Sequence, residues 1–155
     1  MNNSFAVSDI IPVLTEVIAS GGEFELYPRG TSMLPLIKEG RDSVILSRAF
    51  APEVGDIVLY RRENGQYVLH RIIGKEDSTF TLCGDNQTKP EFDIRESQIL
   101  ARVVSLTVNG RTFSCDSEKY RKWVKKWLNM PYRRLCLLSY RAKKKLKARG
   151  KNEVR

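Results

Sequence analysis

The 155-residue chain contains no long hydrophobic run, and nothing in it approaches the roughly 18 consecutive apolar residues of a membrane-spanning helix. Its N-terminal segment also lacks the basic start and long apolar stretch of a secretory signal. Cysteine is scarce: Cys83, Cys115 and Cys136 form no C-x-x-C pair, which argues against a disulfide framework and a zinc site. We therefore expect buried thiols, no metal or cofactor, and a cytoplasmic location.

The net charge of +9 is distributed unevenly along the chain. Residues 1–115 carry 12 Lys and Arg against 15 Asp and Glu, whereas residues 116–155 carry 15 against 3. This contrast predicts a mildly acidic folded domain over 1–115, followed by a basic appendage over 116–155. The 41% hydrophobic content is enough for a globular core.

The first part of the chain has the composition of a mainly β fold that begins with a helix. Apolar residues at helical spacing predict a helix over residues 8–20, ended by Gly21 and Gly22. Two Asn-Gly pairs, at 64–65 and 109–110, are typical of tight hairpin turns between strands. Seven runs have strand composition: FELY, SVILSR, DIVLYRR, QYVLHRII, TFTLC, ILARVVSLTV and RTFS.

The single histidine of the chain, His70, lies in the strand-like run QYVLHRII. If Asn64 and Gly65 alone form the turn, Leu59 lies opposite His70 on the preceding strand. The imidazole then stands on a largely apolar face, where desolvation favours its neutral form. A neutral imidazole suits a general base, and it equally suits a core residue whose nitrogens are hydrogen-bonded.

Two polar segments are the other candidates for chemistry. In PRGTSMLP, Gly30 allows a sharp turn, so that backbone N–H groups around Ser32 can converge on an oxyanion. In LCGDNQTKPEFD, a strand-like run ends at Gly84, and Asp85 emerges where a carboxylate could orient an imidazole. Taken separately, the first segment is more typical of a plain turn and the second of a polar loop.

The order of these motifs resembles that of a known superfamily. GTSMLP, GDIVLY, YVLHRIIG and CGDNQ follow one another as in the signal peptidase I family and its soluble relatives, the self-cleaving SOS-response repressors. The resemblance runs from about Gly30 to Val104. It implies the coiled β-sheet fold of signal peptidases and repressor cleavage domains, here with an N-terminal helix and a basic C-terminal helical appendage.

The resemblance also implies roles for individual residues. Ser32 takes the place of the nucleophile, and His70 that of the general base, as in the branch that uses histidine where other members use lysine. That branch adds an acidic residue, for which the candidates here are Asp85, Glu91 and Asp93. We favour Asp93 as the partner of His70 and Asp85 as structural support. The oxyanion hole is expected from the backbone N–H groups of Thr31 and Ser32.

These assignments predict a serine endopeptidase that cleaves a peptide or protein precursor through Ser-His(-Asp) acyl-enzyme chemistry. The alternative is a catalytically silent module that binds an extended peptide and docks on a membrane or nucleic acid through its basic tail. The family's membrane anchor is missing from this sequence, which argues against cleavage of secretory preproteins at the bilayer.

The basic appendage begins with a predicted amphipathic helix. Its apolar side is formed by Tyr120, Trp123, Val124, Trp127 and Leu128, and its basic side by Lys119, Arg121, Lys122, Lys125 and Lys126. The aromatic side can pack on the β domain. Alternatively, the helix can bind anionic lipid and bring the protein to the inner face of the membrane. Nucleic-acid binding is the third interpretation, since no recognition motif accompanies the charge.

Overall fold

Over residues 7–129, the protein is a mainly antiparallel β structure with a helix before the strands and a helix after them, as the sequence predicted. The computed structural model describes residues 7–129, together with 131, 133, 138, 142, 145, 146 and 149. The elements, in chain order, are α1 Val7–Ala19, β1 Phe24–Leu26, β2 Ser43–Ser47, β3 Ile57–Arg61, β4 Tyr67–Glu76, β5 Thr79–Cys83, β6 Glu91–Arg95, β7 Ile99–Val108, β8 Arg111–Ser114 and α2 Glu118–Leu128. A short 3₁₀ helix, Glu96–Gln98, leads into β7.

The eight strands of the described residues belong to one sheet, in the order β1-β2-β7-β3-β4-β5-β6, with β8 paired to β7. Each pairing is antiparallel. The larger hydrophobic cluster joins α1 and α2 to one side of the sheet, and a smaller one is centred on Val58, Tyr60, Ile72 and Phe80. The strand β4 therefore lies between two cores, and side chains of opposite parity along it enter different environments.

The two Asn-Gly turns behave differently. At the β7–β8 hairpin, Asn109 and Gly110 both have positive φ, and Val108 pairs with Arg111, as predicted for a two-residue turn. At the β3–β4 hairpin only Gly65 has positive φ, and the backbone N–H of Arg62 donates to the carbonyl of Gln66 at 2.8 Å. That loop therefore has three residues, 63–65.

The longer loop shifts the register at His70 by one residue. The structure pairs His70 with Val58, so the prediction that Leu59 lies opposite His70 was wrong. Tyr60, two residues further along β3 from Val58, consequently shares a sheet face with His70. This shift brings a phenol hydroxyl to the imidazole where the two-residue turn would have placed apolar side chains.

The sequence does not indicate strand β6, because its residues have the composition of a polar loop. It has five residues, three of them charged, and only Ile94 among them is buried. The strand lies at the end of the sheet and pairs only with β5, so one inward side chain is enough to hold it. A segment of this kind carries almost no hydrophobic periodicity.

Helix α2 packs its apolar side on the β domain. Tyr120, Val124 and Trp127 are buried, and Ser117 caps the helix by accepting a hydrogen bond from the backbone N–H of Tyr120. Of the aromatic side chains required by the lipid interpretation, Tyr120 and Trp127 are therefore covered by protein and Trp123 is partly covered, while the lysines of α2 are exposed. No described helix has the length and hydrophobicity of a membrane-spanning segment.

The cysteines follow the expectation where the structure describes them. Cys83 and Cys115 are buried free thiols, and burial raises the pKa of Cys115 to about 11. Cys136 lies outside the described residues.

Candidate functional site

Ser32 lies in a constrained turn that is anchored on both sides. Gly30 adopts the left-handed conformation, with φ of 82°, and its N–H donates to the Glu39 carboxylate at 3.1 Å. After the serine, Met33 and Ile37 are buried, and the N–H of Ile37 donates to the carbonyl of Met33 at 3.0 Å. The half-buried Ser32 is thus presented between a glycine bend and two side chains fixed in the core.

The backbone N–H groups of Thr31 and Ser32 are the predicted oxyanion donors. Within the described part of the chain, neither group donates a hydrogen bond to another protein atom. Both therefore remain available to an oxygen that enters the site.

His70 projects from β4 into the smaller core and borders the same cleft as Ser32. Its side chain is 1% exposed, and its Nδ1 lies 3.1 Å from the hydroxyl of Tyr60. Desolvation lowers the pKa of His70 to about 4, although the Glu91 carboxylate acts in the opposite direction. The ring is therefore neutral at pH 7.

Glu91, at the start of β6, is the carboxylate that lies against the imidazole. Its Oε1 is 3.6 Å from Nδ1 of His70. The Arg62 side chain donates hydrogen bonds to Glu91, with Nε at 3.0 and 3.1 Å from the two carboxylate oxygens. Burial works to raise the pKa of Glu91, but hydrogen bonds from Arg62 and Tyr60 outweigh it and lower the pKa overall. Glu91 is accordingly ionised at pH 7.

Asp93, the favoured partner in the sequence, does not reach the imidazole. Leu82 pairs with Glu91 and Phe80 with Ile94, so β6 carries one extra residue between these pairs. Asp93 lies in that bulge with φ of 58° and is exposed. Since the bulge turns Asp93 away, the candidate that lies beside His70 is Glu91 and not the favoured Asp93.

Asp85 is buried on the other side of β4, where it binds Arg71. The Nε and one terminal nitrogen of Arg71 each donate to an oxygen of Asp85 at 2.8 Å, and both side chains are almost completely buried. Burial acts to lower the pKa of Arg71, but the Asp85 carboxylate raises it overall. Asp85 thus anchors the 84–87 loop to the strand beside His70, as structural support would require.

The 84–87 loop in turn holds the Ser32 turn. The N–H of Asn86 donates to the carbonyl of Ser32 at 2.9 Å, and its side-chain amide donates to the carbonyl of Thr31 at 3.1 Å. A Cβ placed on Gly84 would lie 2.6 Å from the Ser32 carbonyl oxygen, so only glycine allows this approach. The segment Gly84-Asp85-Asn86 therefore links Ser32 to Arg71 and, through Arg71, to the strand that carries His70.

A cleft of about 250 Å³ runs between the Ser32 turn and the β3–β4 hairpin. Ser32 and His70 both line it. Its other lining residues are a mixture of apolar and polar ones: Leu26, Pro28, Arg29, Gly30, Met33, Ile37, Glu39, Leu59, Arg62, Gln66, Tyr67, Val68, Leu69 and Gln87. Among the described residues, no three His, Cys, Asp or Glu side chains are grouped so that they could hold a metal ion.

Two residues that contact the imidazole or its carboxylate were not singled out in the sequence, namely Tyr60 and Arg62. Gly65 could have indicated Tyr60, because a glycine in the left-handed conformation can close a three-residue hairpin loop. With that loop length, Tyr60 lies on the same sheet face as His70. For Arg62, the contact with Glu91 bridges 29 positions along the chain and depends on the unrecognised strand β6. No local pattern indicates that pair.

No curated protein and no solved structure matches the chain. A family model described as Peptidase S24-like matches residues 2–104, which include Ser32, His70, Glu91 and the 84–87 loop. Because this match covers well over half of the sequence, the chain belongs to the Peptidase S24-like family.

Proposed function

We propose that this family member is a serine peptidase that cleaves a peptide or protein precursor through an acyl-enzyme on Ser32. The observation that carries the proposal is the shared cleft of Ser32 and His70, in which the imidazole is held by Tyr60 and Glu91 on its far nitrogen. A nucleophile, a base and a group that orients the base are the three parts that this chemistry needs.

The hydrogen bonds around Tyr60 favour the tautomer that a general base requires. The ionised Glu91 can only accept a hydrogen bond, so the Tyr60 hydroxyl donates its single proton to it. The phenol oxygen then offers a lone pair to His70, which donates from Nδ1. The proton is thereby held on Nδ1, and Nε2 carries the free lone pair.

The reaction follows from these positions. Nε2 of His70 takes the proton of the Ser32 hydroxyl as Oγ bonds to the substrate carbonyl carbon, and the N–H groups of Thr31 and Ser32 stabilise the oxyanion. His70 then returns the proton to the departing amine as the peptide bond breaks. Water, deprotonated by His70, hydrolyses the ester and restores Ser32.

The lowered pKa of His70 has a cost and a benefit for this mechanism. A weak base transfers protons less readily, but the imidazole is neutral at every pH well above 4, so the whole enzyme population is competent at neutral pH. The positive charge that forms on His70 during reaction lies 3.6 Å from the Glu91 carboxylate, which stabilises it.

A catalytically silent peptide-binding module is the second candidate, and the deep burial of His70 favours it. A histidine that is 1% exposed and bonded to Tyr60 also meets the requirements of a satisfied core residue. In that case the cleft would hold a peptide without cleaving it.

The test uses a serine-directed fluorophosphonate probe and a peptide library. We expect labelling at Ser32 and cleavage of library peptides by the wild type, and loss of both in Ser32→Ala. Ser97→Ala, which changes an exposed serine of the 3₁₀ helix, is the matched control and should behave as wild type. Peptide binding without labelling or cleavage would support the silent module, and equal cleavage by Ser32→Ala would refute the proposed nucleophile.

A further inference from the structure

Helix α2 lies outside the part of the chain that matches the family model, yet it contacts the candidate site. Its aromatic side chains form a stack, with ring centroids 6.0 Å apart for Tyr120 and Trp123 and 5.5 Å apart for Trp123 and Trp127. Gly55 lets the helix approach closely, because a Cβ there would lie 2.8 Å from a methyl carbon of Val124. The helix is therefore seated against the body at several points.

The end of this stack reaches the carboxylate of Asp85. Nε1 of Trp127 donates to Oδ1 of Asp85 at 2.9 Å, on the oxygen that also accepts from Nε of Arg71. The hydroxyl of Tyr120 accepts a hydrogen bond from Arg71 at 3.2 Å, and the Arg71 guanidinium lies 5.6 Å from the ring centroid of Trp123. The Arg71–Asp85 pair is thus enclosed by α2.

Arg133 contacts the same loop from a position beyond α2. A terminal nitrogen donates to the carbonyls of Gly84 at 3.0 Å and Gln87 at 2.7 Å, and it lies 3.1 Å from Sγ of Cys83. Arg133 is 8% exposed, which is rare for an arginine and indicates a fixed contact.

The opposite side of the 84–87 loop contacts the Ser32 turn, through the hydrogen bond from the Asn86 N–H and the close approach of Gly84 to the Ser32 carbonyl. The loop is consequently held between the C-terminal contacts and the nucleophile. Trp127 and Arg133 each bond to the loop, and neither is among the described residues that line the cleft.

We propose that α2 and Arg133 form a C-terminal clamp that positions Ser32 through the 84–87 loop. Trp127 and Arg133 are positioning residues, because they fix Asp85 and Gly84 of the loop. The loop then holds the Ser32 carbonyl through the Asn86 N–H and the close approach of Gly84, and so sets the direction of the N–H groups beside the serine. The catalytic part of this inference rests on the proposed peptidase function. The structural part concerns the link between the clamp and the Ser32 turn.

The test compares Trp127→Phe and Arg133→Gln with Lys122→Gln, an exposed change on α2, all in the full-length chain. Trp127→Phe removes the Nε1–H donor and keeps an aromatic ring in the stack. Two quantities are measured well below the melting temperature: hydrogen exchange of the Asn86 amide, which bonds to Ser32, and the rate of fluorophosphonate labelling at Ser32. We expect exchange to be at least about tenfold faster in both clamp variants. Labelling should fall by about 10- to 100-fold.

The two readouts separate this inference from the proposed function. Unlabelled wild type refutes the peptidase, while faster Asn86 exchange in the clamp variants still supports the structural link. If Trp127→Phe and Arg133→Gln lower the melting temperature but keep the wild-type rates of Asn86 amide exchange and Ser32 labelling, the clamp is refuted. If Trp127→Phe does not fold, Arg133→Gln alone decides, and Arg133→Lys should recover part of the labelling rate.

Discussion

The burial of His70 predicts that the free energy of unfolding falls in mild acid, and that His70 alone causes this fall. Its pKa is about 4 in the folded protein against an ordinary value of 6.5. Between these values the unfolded chain binds a proton at His70 that the folded chain does not, so the free energy of unfolding falls as pH drops from about 6.5 towards 4. Above pH 6.5 both states are neutral, and the effect vanishes.

The size of the effect follows from the two pKa values. Each unit of difference is worth about 1.4 kcal/mol, so the full loss is about 3 kcal/mol and the loss at pH 5 is about 2 kcal/mol. Paired carboxylates such as Asp42, whose pKa is lowered to about 2 chiefly by its hydrogen bond with Arg41, lose their contribution below about pH 4.5. Because the chain has one histidine, the interval from pH 7.5 to 5 isolates His70.

Urea unfolding at several pH values in this interval measures the effect, with His70→Gln as the comparison. The wild type should lose about 2 kcal/mol between pH 7.5 and 5, and the variant should lose almost nothing. An NMR titration of the single imidazole supplies the folded pKa directly. Parallel stability curves for the two proteins, or an imidazole midpoint above 6, would refute the desolvated environment described for His70.

Three further predictions concern the site, the loop and the appendage. Glu91→Gln should lower kcat in peptide-cleavage assays by about 10- to 100-fold, less than the ~10⁴-fold typical of a carboxylate bonded directly to the base. Asp93→Asn should be near wild type, and the reverse order of the two variants would support Asp93 as the partner of His70. Gly84→Ala should cost about 1–3 kcal/mol in urea unfolding because its Cβ meets the Ser32 carbonyl. Equal stability of Gly84→Ala and Gly74→Ala, whose Cβ would make only an ordinary van der Waals contact with Thr81, would contradict that close contact. The exposed lysines of α2 should give sedimentation with anionic vesicles that fades as salt rises, and a salt-sensitive shift of duplex DNA without vesicle binding would favour nucleic acid instead.

Most of the β architecture could be predicted because the strands are rich in β-formers and bounded by turn residues. The strands β5, β7 and β8 begin and end at the residues that the composition indicates. The segment Glu91–Arg95 was missed because a short strand with one buried side chain has little hydrophobic pattern. The composition of a mostly charged segment is typical of a loop, and only its pairing with a neighbouring strand identifies it as a strand.

Within the site, the family resemblance indicated which segments line one cleft but not how the imidazole is held. Motif order brought Ser32, His70 and the 84–87 loop together, whereas the choice between Glu91 and Asp93 depended on a bulge in β6. The contact with Tyr60 depended on a one-residue difference in hairpin loop length. Such registers are set by tertiary pairing and by the conformation of single residues, which composition does not specify.

The most direct test of the central claim, that His70 activates Ser32, is the pH dependence of fluorophosphonate labelling at Ser32. The wild-type rate should rise along a single ionisation with a midpoint near the His70 pKa of about 4 and stay level above about pH 6. His70→Gln should lower the plateau by roughly 10²–10⁴-fold. An unchanged plateau in His70→Gln, or a wild-type rate that is still rising above pH 8, would contradict the claim.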